Sequence, residues 1–334
     1  MACKKILIIQ TSFIGDVVLA TSLIVKLKAC FPEASIDFLL KKGCEELLIN
    51  DPAVNQVLIL DKRKSRFLEL IRLVKKIRAT KYDLVVNVHR FLSSGLLTVL
   101  SGANETVGFD KNPMSFLYTK KLSHVIGDGS HEIVRNQQLI AHHTDHEASK
   151  PKLHLSKAVQ QKLEAIKTTN YITISPSSVW YTKQLPKAQW IDFLNTSNYE
   201  GDIYLLGAKS DFATCEFIRK SLDKPLKALN MCGELSMLES AALMQTAAMN
   251  FMNDSAPLHF ASAVNAPTTA VFCSTVPSFG FGPLADNSKI VEIKKKLACR
   301  PCGLHGFRTC PEKNFRCANE IDIQDLIDTL PASS

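Results

Sequence analysis

No run of this sequence approaches the roughly 20 uncharged residues of a membrane-spanning helix, which excludes an integral helical membrane protein. A secretory pattern is missing too: Met1-Ala2-Cys3-Lys4-Lys5 leads straight into the apolar run 6–9, so the chain is expected in the cytoplasm. Glycine and proline are modest at 14 each in 334 residues and 46% of the chain is hydrophobic, which excludes a disordered chain. No segment of one half recurs in the other. Acidic residues are in deficit, 32 against 40 Lys and Arg. The resulting +8 fits an acidic substrate, an anionic membrane or nucleic acid without choosing among them. Ten cysteines are present, but Cys3, Cys30, Cys44, Cys215, Cys232 and Cys273 are scattered through apolar contexts, as reduced core thiols are.

What is present is alternation. Residues 5–10 read as a buried parallel strand, followed by the loop Thr11-Ser12-Phe13-Ile14-Gly15-Asp16 and a helical pattern over 17–29 that Pro32 ends. Strands are expected at 36–40, 56–60 and 83–88, with an amphipathic helix at 66–78 and helix formers at 92–100 and 132–142. The polar, unpatterned stretch 144–156 contains Pro151 and reads as the passage between two domains, 1–150 and 151–334. Beyond it the spacing predicts helices at 157–167, 187–195, 211–222 and 236–247 and strands at 171–175 and 202–206. Such alternation predicts an α/β fold of two doubly wound parallel sheets.

The stretch 253–283 concentrates the chemistry. The apolar run 249–252 gives way to Asn253-Asp254-Ser255, which stop a strand and cap a helix at 256–264; Pro267 ends that helix and 268–272 is the next strand. Two strand ends and a helix start then open onto one crevice, where free N–H groups and about half a positive charge suit an anion such as a diphosphate. An ordinary capped strand-helix-strand unit has the same pattern. His259, four residues after Ser255, either reaches a phosphate or sits satisfied in the core.

Other candidates lie on loops. Asp16 follows Gly15 in the first strand-to-helix loop and is either a general base or a helix cap. Lys183 belongs to the loop 176–186, whose hydroxyls include Ser177 and Thr182, and either neutralises a leaving diphosphate or is an exposed surface cation. Arg90 ends a strand, and His131 and Arg135 open a helix; each faces an acidic ligand or is ordinary surface. Cys299-x-x-Cys302, Cys310 and Cys317 make a candidate structural zinc knuckle, with buried thiols or disulfides as the alternatives.

Together these positions resemble the heptosyltransferases of glycosyltransferase family 9, which build the inner core of lipopolysaccharide. The segment IGDVVLATS (14–22) is similar to the family's GD-x-x-L-x-TP motif, PSSVWYTKQLP (176–186) to its PG-x-x-x-x-x-K-x-WP loop, and NDSAPLH (253–259) to its NDSGxxH donor motif. The resemblance covers nearly the whole chain, including PSFGFGPL (277–284) and the Cys-x-Pro-Cys tail. It implies a GT-B fold, two Rossmann-like domains facing a central cleft, with the acceptor in the first and ADP-heptose in the second. It also implies metal-independent inversion, with Asp16 as base and Lys183 beside the diphosphate. The donor contacts it implies are Ser177, Thr182, Asp254, Ser255, Ala256 and His259, with Gly233 and the helix start at Ser236 near the nucleoside. Ser12, Gly15, Arg90, His131 and Arg135 are implied on the acceptor side. The partners are then ADP-heptose, an anionic lipopolysaccharide core and, transiently, the inner-membrane surface, with no nucleic acid and no catalytic cofactor. Three positions depart from the family: Ser177 and Ala256 replace glycines, and Ser22 replaces a proline. A methyl where backbone meets phosphate takes up space, so another nucleotide sugar is the alternative donor. A basic nucleic-acid-binding protein using the cysteine-rich tail is the rival of another class, and a non-catalytic nucleotide-sugar binder of the same fold is a third reading.

Overall fold

A computed structural model describes residues 4–61, 63, 65–223 and 227–331, leaving Cys3 outside. The chain divides into two compact units, 1–154 and 155–334.

Unit 1 runs β1 (Lys5–Ile9), α1 (Ile14–Cys30), β2 (Ser35–Lys41), β3 (Gln56–Leu60), α2 (Arg66–Thr80), β4 (Leu84–Asn87), α3 (Leu92–Val99), β5 (Glu105–Phe109), β6 (Lys120–Leu122) and α4 (Glu132–Gln138). Its six strands are ordered β3-β2-β1-β4-β5-β6 and pair in parallel. The central strand carries Ile6, Leu7, Ile8 and Ile9 with no exposed surface, because helices cover both faces of a parallel sheet. Burying each such side chain contributes about 1.5–3 kcal/mol. On one face Leu73 and Ile77 of α2 and Leu97 of α3 pack against Leu7, Ile9, Leu39 and Val85. Elsewhere α1 packs with α4.

Unit 2 runs α5 (Lys157–Glu164), β7 (Tyr171–Ser175), α6 (Lys187–Thr196), β8 (Asp202–Leu205), α7 (Phe212–Lys220), β9 (Ala228–Asn230), α8 (Met237–Gln245), β10 (Met249–Asn253), α9 (Ala256–Ala263), β11 (Thr268–Phe272), β12 (Ser288–Glu292), α10 (Arg316–Asn319) and α11 (Ile323–Ile327). The order β12-β11-β10-β7-β8-β9 is again parallel throughout. Counted from its own first strand, it repeats the topology of unit 1. The tail belongs to the core here: Phe315, Cys317, Ala318 and Leu326 pack with Trp190, Phe193 and Phe251.

In each unit the direction of winding reverses between the first and fourth strands. Open α/β sheets bind ligands just beyond the carboxyl ends of the strands at that reversal. The reversal lies between β1 and β4 in unit 1 and between β7 and β10 in unit 2. One thiol corrects the sequence reading: Cys30, at the end of α1, is exposed, whereas Cys44, Cys215, Cys232 and Cys273 are buried. No helix among the described residues is long and apolar enough to cross a membrane.

Candidate active site

At the reversal point of unit 2, β10 ends in Asn253, whose side chain is a clamp. Its amide donates to the Pro176 carbonyl (2.7 Å) and its oxygen accepts from the Leu185 N–H (2.9 Å). One asparagine thus fixes both ends of the loop that carries Lys183. Lys183 Nζ lies 2.6 Å from Asp254 Oδ2, with both side chains largely buried. The Thr275 hydroxyl donates to the same oxygen at 2.6 Å. The lysine is therefore a held cation, not the free surface residue that a lone lysine on a loop usually is.

Directly after Asp254, Ser255 is the N-cap residue of α9, and its side chain makes no capping bond. This corrects the expectation that the Asn253-Asp254-Ser255 run caps the helix through its side chains: Asp254 is engaged by Lys183 and Thr275, and the Ser255 hydroxyl donates to the Asn253 carbonyl at 3.3 Å. Pro257, near the helix start, has no N–H to satisfy. Ser177 and Ala256 are half-buried, and His259 is buried in α9 with its ring near Phe281.

The cysteine-rich tail lies against this loop, a connection that the sequence did not reveal. Thr182 Oγ1 accepts from the Ser274 hydroxyl (3.0 Å) and from the Phe307 N–H (2.8 Å). Gly306 takes a left-handed backbone (φ +74), and a side chain there would meet Thr182 Oγ1 at 2.8 Å and Lys183 Cγ at 3.1 Å. Arg300 donates to the carbonyls of Phe272, Cys273 and Thr275 and pairs with Glu292, gathering the end of β11 beneath Asp254. Arg300, standing between Cys299 and Cys302, is the one signal of it in the sequence.

The four cysteines of the candidate knuckle lie in the same place. Cys299, Cys302, Cys310 and Cys317 are close enough for their charges to influence one another, and burial first, then those neighbours, push the Cys317 thiol up to about 11. Yet among the described residues no three of these sulfurs come within 4.8 Å of one another. Cys317 is in the core, with Cys299 and Cys310 packed against it.

Gly233 has φ +80 and sits against Lys209 at the end of β9. The following helix, α8, closes its own start: Ser236 accepts from the Glu239 N–H (3.3 Å) and Glu239 accepts from the Ser236 N–H (2.9 Å).

At the reversal point of unit 1, Asp16 Oδ2 accepts from the Phe13 N–H at 3.2 Å, three residues back at the start of α1. The carboxylate therefore does cap the helix. It remains half-buried, next to buried Gly15 and half-buried Ser12. Across the reversal, the Thr11 hydroxyl meets His89 Nδ1 at 2.9 Å, joining the loops after β1 and β4. Arg90 follows His89, half-buried, and has no hydrogen bond or ion pair among the described residues. His131 is the N-cap of α4, accepting from the Ile133 N–H. Arg135 is buried, bonded to Glu132 Oε2 (2.8 Å) and the Ser130 carbonyl. Burial alone would raise the Glu132 carboxyl, but His124 and Arg135 bring it below the ordinary carboxylate range. Where β2 and β3 end, a cavity of about 380 Å³ is lined by residues that include Lys41, Lys42, Arg63, Glu45 and Asp61.

Comparison with known proteins bears on the family and the fold. The sequence model of glycosyltransferase family 9 (heptosyltransferase) matches residues 70–308. A lipopolysaccharide heptosyltransferase 3 of Escherichia coli is 27% identical over 278 residues, 79% of this chain and 82% of that protein. Lipopolysaccharide heptosyltransferase 1 of Pseudomonas aeruginosa is 23% identical over 89% of this chain and 86% of its own length. Among solved structures, E. coli ADP-heptose lps heptosyltransferase II superposes with a TM-score of 0.78 at 20% identity, covering 97% of both chains; the two share the GT-B fold. This chain belongs to glycosyltransferase family 9 and is a glycosyltransferase.

Proposed function

We propose that this enzyme transfers a heptose from ADP-heptose, with inversion, to an anionic acceptor of the lipopolysaccharide inner core. The observation that carries the reading is the Lys183–Asp254 pair at a helix start whose first amides have no side-chain cap. The names of the matched relatives, lipopolysaccharide heptosyltransferases, support the substrate class.

In this reading unit 2 takes the donor and unit 1 the acceptor. Asp16 accepts the proton of the acceptor hydroxyl as that oxygen attacks the anomeric carbon. The bond from this carbon to the β-phosphate oxygen breaks, and its electron pair leaves with ADP. Lys183 and the amides at Asp254, Ser255 and Ala256 meet the charge that grows on the departing diphosphate. Ser177, Thr182 and His259 complete the donor side, and Gly233 lies by the nucleoside. Arg90, with no partner of its own among the described residues, is the principal acceptor contact, with Ser12, Gly15 and His131 beside it; Arg135 acts through Glu132. No cofactor takes part in these steps.

A lipid-borne acceptor also accounts for the surface of unit 1. Phe13, Phe67, Phe91 and Phe116, each following a different strand end, are 50%, 72%, 65% and 68% exposed. Lys41 lies over the Phe13 ring. Exposed aromatics among cations suit transient contact with an anionic membrane, here the inner face of the cytoplasmic membrane.

The test is transfer from ADP-heptose, and in parallel from UDP- and GDP-sugars, to a heptose-free lipopolysaccharide core. Acceptor-dependent heptose transfer with release of ADP is expected. Release from a different nucleotide sugar, or hydrolysis indifferent to the acceptor, would overturn the assignment.

A further inference from the structure

Glu105 opens β5, at the amino end of the sheet of unit 1, whereas Asp16 and Arg90 lie beyond the carboxyl ends of its strands. His142 and His143 follow α4 in a turn closed by bonds from the His143 and Thr144 N–H groups to the Ile140 carbonyl. Both imidazoles point Nε2 at one carboxylate, His142 at 2.5 Å from Oε1 and His143 at 2.8 Å from Oε2. The ring centroids are 4.1 Å apart. The three ligating atoms lie within 4.8 Å of one another, and no other group of three His, Cys, Asp or Glu side chains among the described residues converges in this way.

Two imidazole nitrogens and one carboxylate oxygen converging at this distance present the His₂Glu donor set that Zn²⁺ accepts. The side chains are 19–28% exposed, which leaves an approach for the ion and for water at a remaining position.

We propose that Glu105, His142 and His143 form a binding site for a divalent transition-metal ion of the Zn²⁺ class, separate from the transfer site. The ion ties the first residue of β5 to the segment that follows α4, so its role is structural. The site does not depend on the identity of the sugar donor.

The test is Co²⁺ titration of the full-length, metal-stripped protein, read by visible absorption. Saturable d–d bands without a thiolate charge-transfer band are expected, and they should persist in a variant with Cys299, Cys302, Cys310 and Cys317 all changed to serine. His143→Ala and Glu105→Gln should each weaken Co²⁺ binding at least ~10-fold, with unchanged far-ultraviolet circular dichroism and unchanged ADP binding. Zn²⁺ should raise the Tm of the wild type but not of these variants, since binding to the native state alone stabilises it. Absence of saturable binding, retention of the bands in both variants, or a thiolate band lost with the cysteines would each overturn the proposal.

Discussion

The two reversal points have the same topology and opposite electrostatic states. In unit 2 the cation is already paired: Lys183 is held on Asp254, and Asp254 is further held by Thr275. In unit 1 the carboxylate of Asp16 is committed to a helix start, while the cation Arg90 has no partner among the described residues. A paired, mostly buried lysine is positioned before any ligand arrives, so little reorganisation is needed when charge develops beside it. A half-buried arginine without a partner is instead a place where an anion gains by binding. In the proposed reaction the first suits a charge that appears during transfer and the second a charge that is present throughout.

The largest way to break this comparison is at Asp16. Asp16→Asn keeps an oxygen that can accept from the Phe13 N–H but removes the proposed proton acceptor. Transfer should fall by ~10²–10⁴, with ADP affinity and thermal stability near wild type. Near-normal turnover in this variant would leave Asp16 as a cap and nothing more.

Lys183→Ala comes next, with an expected loss of ~10²–10³ in kcat and weaker ADP binding. It also leaves Asp254 a largely buried carboxylate without its cation, and breaking such a pair costs about 3–5 kcal/mol when fully buried. The exposure of the pair, 14% and 8%, places the expected cost at or below the lower end. Adding Asp254→Asn should restore much of the stability and none of the activity, which urea midpoints and turnover together would measure.

Much of this was legible in the sequence because buried parallel strands leave a strong signal: 171–175 and 268–272 coincide with β7 and β11. The strands that were not legible are β5, β6, β9 and β12. Three of these are sheet edges with exposed positions, such as Lys120-Lys121 in β6 and Ser288-Lys289 in β12, so their burial pattern does not read as core. In β5, Gly108 interrupts the apolar run and is required by packing: a side chain there would meet the Tyr118 ring at 2.5 Å. At the site, motif spacing singled out Lys183 and Asp254, whereas Asn253 as clamp, Thr275 as second donor and Gly306 as close neighbour depend on contacts between segments distant in sequence.

Acid sharpens the comparison, because unit 1 holds the buried Glu132 in the first turn of α4, close to Arg135. Its folded value lies below the ordinary 4.5, so it contributes stability above that value, which is lost as pH falls through the depressed one. Glu132→Gln should lower stability at neutral pH and flatten the acid limb of a plot of Tm against pH. An acid limb with unchanged slope would show that Glu132 is not the group responsible.

The smallest expected effect is at Ala256. This is the first residue of α9, where the family pattern has glycine and where the proposed diphosphate meets backbone. A methyl group at that point either crowds the phosphate or packs harmlessly to one side, and Ala256→Gly separates the two. Glycine costs a helix interior about 1 kcal/mol relative to alanine, and less in the first turn, where the N–H groups are not yet in the intrahelical ladder. If the methyl crowds the ligand, ADP should bind about threefold tighter, roughly 0.6 kcal/mol, against a small drop in Tm. If affinity is unchanged while Tm drops, the methyl stands clear of the phosphate, and α9 accepts alanine there because its first turn grips the ligand through N–H groups that point away from Cβ.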